Sequence, residues 1–144
     1  MTRIDFHTGV PDAINYACRL LKKAYASGAA VAVTGDEAWL VELDAALWTF
    51  DATGFLAHHF YQEGSLQATP DMAFKPVQLA ISVPDSLQAS VLVNFSNSTT
   101  PPDGFERFER LIEIASLGED LKPARVRYKY YKDRGYPLTQ HVAK

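Results

Sequence analysis

Ala29 to Thr49 reads AAVAVTGDEAWLVELDAALWT, and this stretch decides the fold. Ala29 to Thr34 is a short continuous apolar run, the pattern of a strand buried on both faces. Asp36 to Thr49 reads as a helix, with acids in its first turn that complement the helix dipole. A buried strand feeding a helix through a short turn is the building unit of a parallel α/β sheet. Upstream, Arg3 to His7 reads as a first strand. Pro11 is suited to an early helix position. Ala13 to Ser27 (AINYACRLLKKAYAS) follows as a helix that buries Ile14, Ala17, Cys18, Leu21 and Tyr25, with Gly28 as its stop. Downstream, Phe55 to Phe60, Val77 to Val83 and Ser90 to Phe95 read as strands. Gln62 to Lys75 reads as a loop and Asn97 to Gly104 as a turn cluster. Phe105 to Leu117 (FERFERLIEIASL) is amphipathic, and Leu121 to Arg134 reads as a last helix. The expected fold is α/β: a three-layer α/β/α sandwich with a largely parallel central sheet.

At 144 residues the chain is expected to form one domain, 1–144, long enough to bury a core. Its 47% hydrophobic and 22% charged content is that of an ordinary soluble globular protein. No apolar run approaches the roughly 20 residues of a membrane span, and MTRIDFHTGVPDA has no secretory apolar core. The single cysteine, Cys18, leaves no internal disulfide framework. These features fit a reducing cytosol.

Nucleotide binding is the natural expectation for such a fold, but its motifs are missing. There is no glycine-rich loop ending in Lys-Ser or Lys-Thr, and no G-x-G-x-x-G after a strand. The turn TGDEA places Asp36 and Glu37 where phosphates would sit, which repels them. No cofactor is expected. The adjacent pair His58-His59 would point to opposite faces of a strand, and His7 and His141 stand isolated in the sequence. With one cysteine there is no zinc-ligand spacing. No nucleophile elbow is present, and no convergent constellation points to catalysis.

Charge is unevenly distributed. Six of the 14 Lys and Arg residues lie between Lys122 and Arg134, opposed only by Asp133, so this window carries +5 and the remainder −8. That imbalance points to a local site for an acidic partner; a net charge of −3 gives no global attraction to nucleic acid. On a helix, Lys122, Arg125, Lys129 and Lys132 fall on one face. Leu121, Ala124, Tyr128 and Tyr131 form an apolar and aromatic row beside it. Two such rows can seat a peptide bearing carboxylates and a bulky apolar side chain, with Arg binding a carboxylate through its planar fork. The plainer reading is a C-terminal amphipathic helix that packs its tyrosines and solvates its charges. A third reading is direct binding of single-stranded nucleic acid, with Tyr128, Tyr130 and Tyr131 stacking on bases.

Trp48, Phe50 and Phe55 cluster at a helix-to-strand junction. Such side chains are usually core. At an edge, however, they can anchor a protein interface, where Trp is enriched.

Four blocks in order resemble the chi subunit family of bacterial DNA polymerase III. They are YACRLLKKAYASG (Tyr16 to Gly28), LDAALWTF followed by FLAHH (Leu43 to His59), KPVQLAI (Lys75 to Ile81) and ARVRYKYYKDRGYPL (Ala124 to Leu138). The resemblance implies a non-catalytic adaptor with the fold of a mononucleotide-binding domain that lacks the phosphate loop. It implies a clamp-loader-associated protein that pairs with the psi subunit and binds the acidic, Phe-terminated C-terminal tail of single-stranded DNA-binding protein. By motif position, Arg125 and Tyr128 match the family's tail site. Lys122, Lys129 and Lys132 share that basic face. Trp48, Phe55 and His58 match the psi-facing block. The chain departs from the pattern at Ala57, where the family has proline, and at Leu121, where a basic residue is common and Lys122 follows instead.

Overall fold

The computed structural model describes residues 2–49, 58–61, 77–81, 83, 89–116 and 121–142. The elements run β1 (Arg3–Val10), α1 (Ala13–Ala26), β2 (Val31–Gly35), α2 (Glu37–Thr49), β3 (His58–Tyr61), β4 (Val77–Ala80), β5 (Val91–Phe95), β6 (Arg110–Ser116), α3 (Leu121–Asp133) and β7 (Leu138–Val142). A single 3₁₀ turn, Phe105–Arg107, precedes β6. Seven strands form one sheet in the order β3-β4-β2-β5-β6-β1-β7. Every pairing is parallel. The expected three-layer α/β/α architecture is therefore observed, with a sheet that is wholly parallel among the described strands.

The alternation of side chains along each strand sorts the core into two layers. Val31, Val33, Val93, Ile112 and Ile114 face α1 and α2, where Ala17, Cys18, Leu21, Leu40, Leu43 and Leu47 meet them. Ile4, Phe6, Ala32, Leu92 and Leu111 face the other way, onto Ala124 and Tyr131 of α3. Each fully buried Leu, Ile, Val or Phe contributes roughly 1.5–3 kcal/mol by leaving water.

α1 begins at Ala13, where the sequence pattern places it. Asp12 is the N-cap, its carboxylate accepting the Asn15 N–H at 3.1 Å, so Pro11 lies just outside the helix. Phe105 to Ser116 also departs from its amphipathic reading. After the 3₁₀ turn it becomes a central strand, β6, with Leu111 to Ala115 all buried. Within that strand the sequence places one acid, Glu113, on the face toward α3.

Glu113 is fully buried and fully partnered. Its carboxylate accepts from Arg127 Nε (3.1 and 3.2 Å), Arg127 Nη2 (3.1 Å), Asn94 Nδ2 (2.9 Å) and the Tyr131 hydroxyl. Arg127, 1% exposed, spends Nη1 on the Ser96 and Ser98 carbonyls at 2.9 and 2.6 Å. Burial pushes the Tyr131 hydroxyl far above its ordinary pKa, and the Glu113 charge pushes it further, so it remains a donor.

On the opposite face of β1 a second polar group forms. His7 and His141 look isolated in sequence, but parallel pairing of β1 with β7 sets them side by side. Their rings stack at 4.6 Å. His7 Nδ1 is hydrogen-bonded to the Tyr16 hydroxyl, while its buried Nε2 has no partner. Asp5 is ion-paired to Arg110, and His141 Nε2 lies 3.6 Å from the Asp5 carboxylate. Burial, then the charge of His141, lowers the His7 pKa from 6.5 to about 4, with Asp5 opposing and Arg110 adding to the shift.

Two predictions follow from these clusters. Replacing Glu113 alone by Leu strands a buried guanidinium and should cost about 3–5 kcal/mol in urea unfolding. Glu113→Leu combined with Arg127→Met should recover much of that loss, because the pair's desolvation penalty goes with its attraction. His7 has a folded pKa below its unfolded one, so the unfolded chain protonates first. Its contribution is present in full above about pH 6.5 and is lost as pH falls toward 4. That loss amounts to roughly 3 kcal/mol at most. Stability measured from pH 7.5 to 4.5 should fall less steeply for His7→Gln than for the unmodified chain; equal slopes would contradict the assignment.

Candidate partner-binding surfaces

α3 owes its orientation to three inward side chains, Ala124, Arg127 and Tyr131. Pro123 sits in its first turn, where backbone N–H groups have no intrahelical acceptor in any case. The helix ends in a Schellman turn: Gly135 N–H donates to Lys132 O at 3.1 Å and Tyr136 N–H to Tyr131 O at 3.1 Å. Gly135 takes φ 81°, a left-handed conformation that suits glycine.

The two rows expected along this helix meet different fates. Lys122, Arg125, Lys129 and Lys132 are all exposed and form the expected basic face. The aromatic row is mostly core. Ala124 and Tyr131 are buried, and Leu121's side chain lies outside the described residues. Tyr128 alone of the described row reaches the margin, half-buried and edge-on to Phe6 at 5.3 Å. Arg127 is a sixth cation by sequence but not by surface. Its charge is matched by Glu113, so the outward surplus of this window is +4 rather than +5.

Helical periodicity then orients the basic face. Arg127 leans toward the end of β5, through Ser96 and Ser98, and Tyr128 leans toward β1. Arg125 and Lys132 lie on the Tyr128 side, toward β1 and β7. β7 is the edge strand there, and its register places Leu138, Gln140 and Val142 on the same sheet face as Ile4 and Phe6. The exposed cations on this side of α3 therefore lie toward the strand edge. β7 itself was missed in sequence, because LTQHV lacks clear alternation, though its Thr and Val favour a strand.

The block around Trp48, expected to face a partner, is described in part. Trp48, at the end of α2, is 60% exposed, whereas Trp39 of the same helix is buried against Phe95. Trp48 is thus an edge residue, not core. His58 opens β3 and pairs with Val77 through the backbone; its side chain, and all of Phe50, Phe55 and Ala57, lie outside the described residues.

The nucleotide position of the fold is occupied by the protein's own acid. Asp36 immediately precedes α2, its carbonyl accepting Leu40 N–H at 3.0 Å, while its carboxylate accepts Asn97 N–H at 3.0 Å. A Cβ on the preceding Gly35 would lie 2.1 Å from Phe95 O, so the turn is closed tightly. A cavity of about 250 Å³ opens beside it, at the C-terminal ends of β2, β4 and β5, lined by Thr34, Ile81, Asn94, Ser96, Thr100 and Asp103 among others. Among the described residues its lining carries hydroxyls and Asp103 but no Lys or Arg. Among the described residues no three His, Cys, Asp or Glu side chains are placed to hold a metal ion.

Comparison with known proteins agrees with this geometry. The family described as "DNA polymerase III chi subunit, HolC" matches residues 1–139. DNA polymerase III subunit chi of Pseudomonas aeruginosa is 32% identical over 149 residues, covering 98% of this chain and 96% of that relative. A match across nearly the whole chain, on a sheet whose nucleotide position is closed, places the chain in the DNA polymerase III chi subunit family, and so among the subunits that support DNA replication.

Proposed function

We propose that this protein is a non-catalytic adaptor of the polymerase III holoenzyme, acting in the cytoplasm. It binds the psi subunit of the clamp-loader assembly on one surface and the acidic tail of single-stranded DNA-binding protein on another. The observation that carries the tail site is the exposed row Lys122, Arg125, Lys129 and Lys132, oriented by the buried Glu113–Arg127 pair and set beside the open edge of β7. In this reading Lys122, Arg125 and Lys129 meet the tail carboxylates and the terminal Phe lodges near Tyr128. Trp48, Phe55 and His58 form the psi contact; the exposure of Trp48 supports it.

Direct binding of single-stranded nucleic acid is the weaker reading on physical grounds. Stacking needs open aromatic faces. Tyr131 has none, being fully buried, and the Arg134 guanidinium lies 4.1 Å from the Tyr130 ring centroid.

Calorimetric titration with an acidic, Phe-terminated peptide tests the site. Arg125→Ala should weaken binding by about 1–3 kcal/mol, the range for removing one charge-assisted partner. Removing the peptide's Phe should abolish measurable binding. Affinity should fall with added salt, because exposed ion pairs are screened over about 8 Å at physiological ionic strength. A naked single-stranded oligonucleotide should produce no gel shift. Unchanged affinity in Arg125→Ala would place the site elsewhere.

A further inference from the structure

The chain leaves the neighbouring strands β2 and β5 on opposite sides of the sheet. β2 runs into α2, which packs on the face carrying Val31 and Val33. β5 runs through the 96–104 loop to Phe105 and Phe108, which pack on the face carrying Ala32 and Leu92. Strand ends that part in this way leave a crevice beyond the carboxyl edge of the sheet, where open α/β sheets take up small ligands. The cavity of about 250 Å³ lies there. At roughly 30 Å³ per water it has the volume of about eight waters, enough for a group the size of one long side chain and too little for a nucleoside.

Its chemistry is one-sided. The hydrogen-bond donors on its walls are largely spent inside the protein. Thr34 Oγ1 donates to the Ile81 carbonyl at 3.1 Å, Asn94 Nδ2 to Glu113 at 2.9 Å and Ser96 Oγ to Asp36 at 3.4 Å. The Ser98 and Thr100 hydroxyls bond each other at 2.8 Å. What the lining keeps is acceptors: Asn94 Oδ1, a lone pair of Thr34 Oγ1 and the Asp103 carboxylate. Asp103 is exposed and forms no ion pair among the described residues. Ile81, Val83, Pro101 and Pro102 add an apolar wall.

We propose that this crevice binds one organic cation of side-chain size, an alkylguanidinium. Its methylene stem lies along Ile81, Val83 and the two prolines, and its N–H groups meet Asn94, Thr34 and Asp103. A guanidinium brings five donors and no acceptor, the complement of this lining, and its planar fork matches the Asp103 carboxylate. The site stands at the start of α2, the far end of that helix from Trp48, and shares no residue with the basic face of α3. It is a third binding position, separate from the two surfaces assigned above.

NMR titration of the ¹⁵N-labelled full chain with n-butylguanidinium tests it. The amides of Thr34, Asn94, Ser98 and Asp103 should shift together along one saturating curve. Asp103→Asn should raise the half-saturating concentration about two- to fivefold, the usual reach of an exposed ion pair. Ile81→Arg should abolish the response by supplying the crevice with a guanidinium of its own. Ile81 is 49% exposed, so circular dichroism should show that variant folded. Arg125→Ala should bind the probe as the unmodified chain does. Uncharged n-butylurea should bind several-fold more weakly, and inorganic phosphate should shift none of these amides. N-acetylarginine amide separates the sources of the cation. A matching response to it names an Arg side chain of another protein, and silence beside a response to n-butylguanidinium names a free small cation; either keeps the site. Shifts that do not saturate, or that spread equally to Glu42 and Asp44, overturn it. So do equal binding of n-butylurea and an unchanged response in Asp103→Asn or Ile81→Arg.

Discussion

The Glu113–Arg127 ion pair is the constraint on which the setting of α3 depends. A carboxylate in the middle of a buried strand is costly unless every lone pair is used, and here guanidinium, amide and phenol together use them. Because Arg127 is planar and forked, it meets the carboxylate through Nε and Nη2 while Nη1 reaches the Ser96 and Ser98 carbonyls. Those contacts admit one rotation of α3. An apolar face alone would tolerate some rolling of the helix over the sheet, since dispersion and burial are non-directional. With the ion pair in place, rotation would strand a charge. The exposed cations of α3 therefore stand at fixed positions relative to β1 and β7.

The elements legible in the sequence are those whose local pattern and tertiary fate coincide. α1 shows a clean stripe because one side is buried and the other solvated. β2 and β5 show continuous apolar runs because both faces are covered. β6 was harder to read. Its Glu113 and flanking arginines give FERFERLIEIASL an amphipathic look, yet the acid is paired through space with a residue 14 positions later. No local pattern reports such a pairing. The same is true of His7 and His141, joined by parallel register across 134 residues. The basic face of α3 was readable because solvated charges repeat at helical spacing. The aromatic row beside it was assigned to a groove, and Tyr131 turned out to be core, since a tyrosine packs inward whenever its hydroxyl finds a partner, here Glu113. Trp39 and Trp48 show the complementary limit. Both lie on one helix, one buried and one exposed, and composition does not tell them apart.

The sheet separates the two surfaces as well as supporting them. α2 lies on one face and α3 on the other. Layer spacings of roughly 10 Å place the two helix axes about 20 Å apart. That is more than twice the screening length at physiological salt, about 8 Å. The acids of α2 and the exposed cations of α3 therefore stand on opposite outer layers of one small domain. The closed nucleotide position follows the same logic. With its carboxylate tied to the loop after β5, Asp36 closes the end of the sheet that binds phosphates elsewhere. A fold suited to holding a small anion between its layers here has that position taken by its own carboxylate.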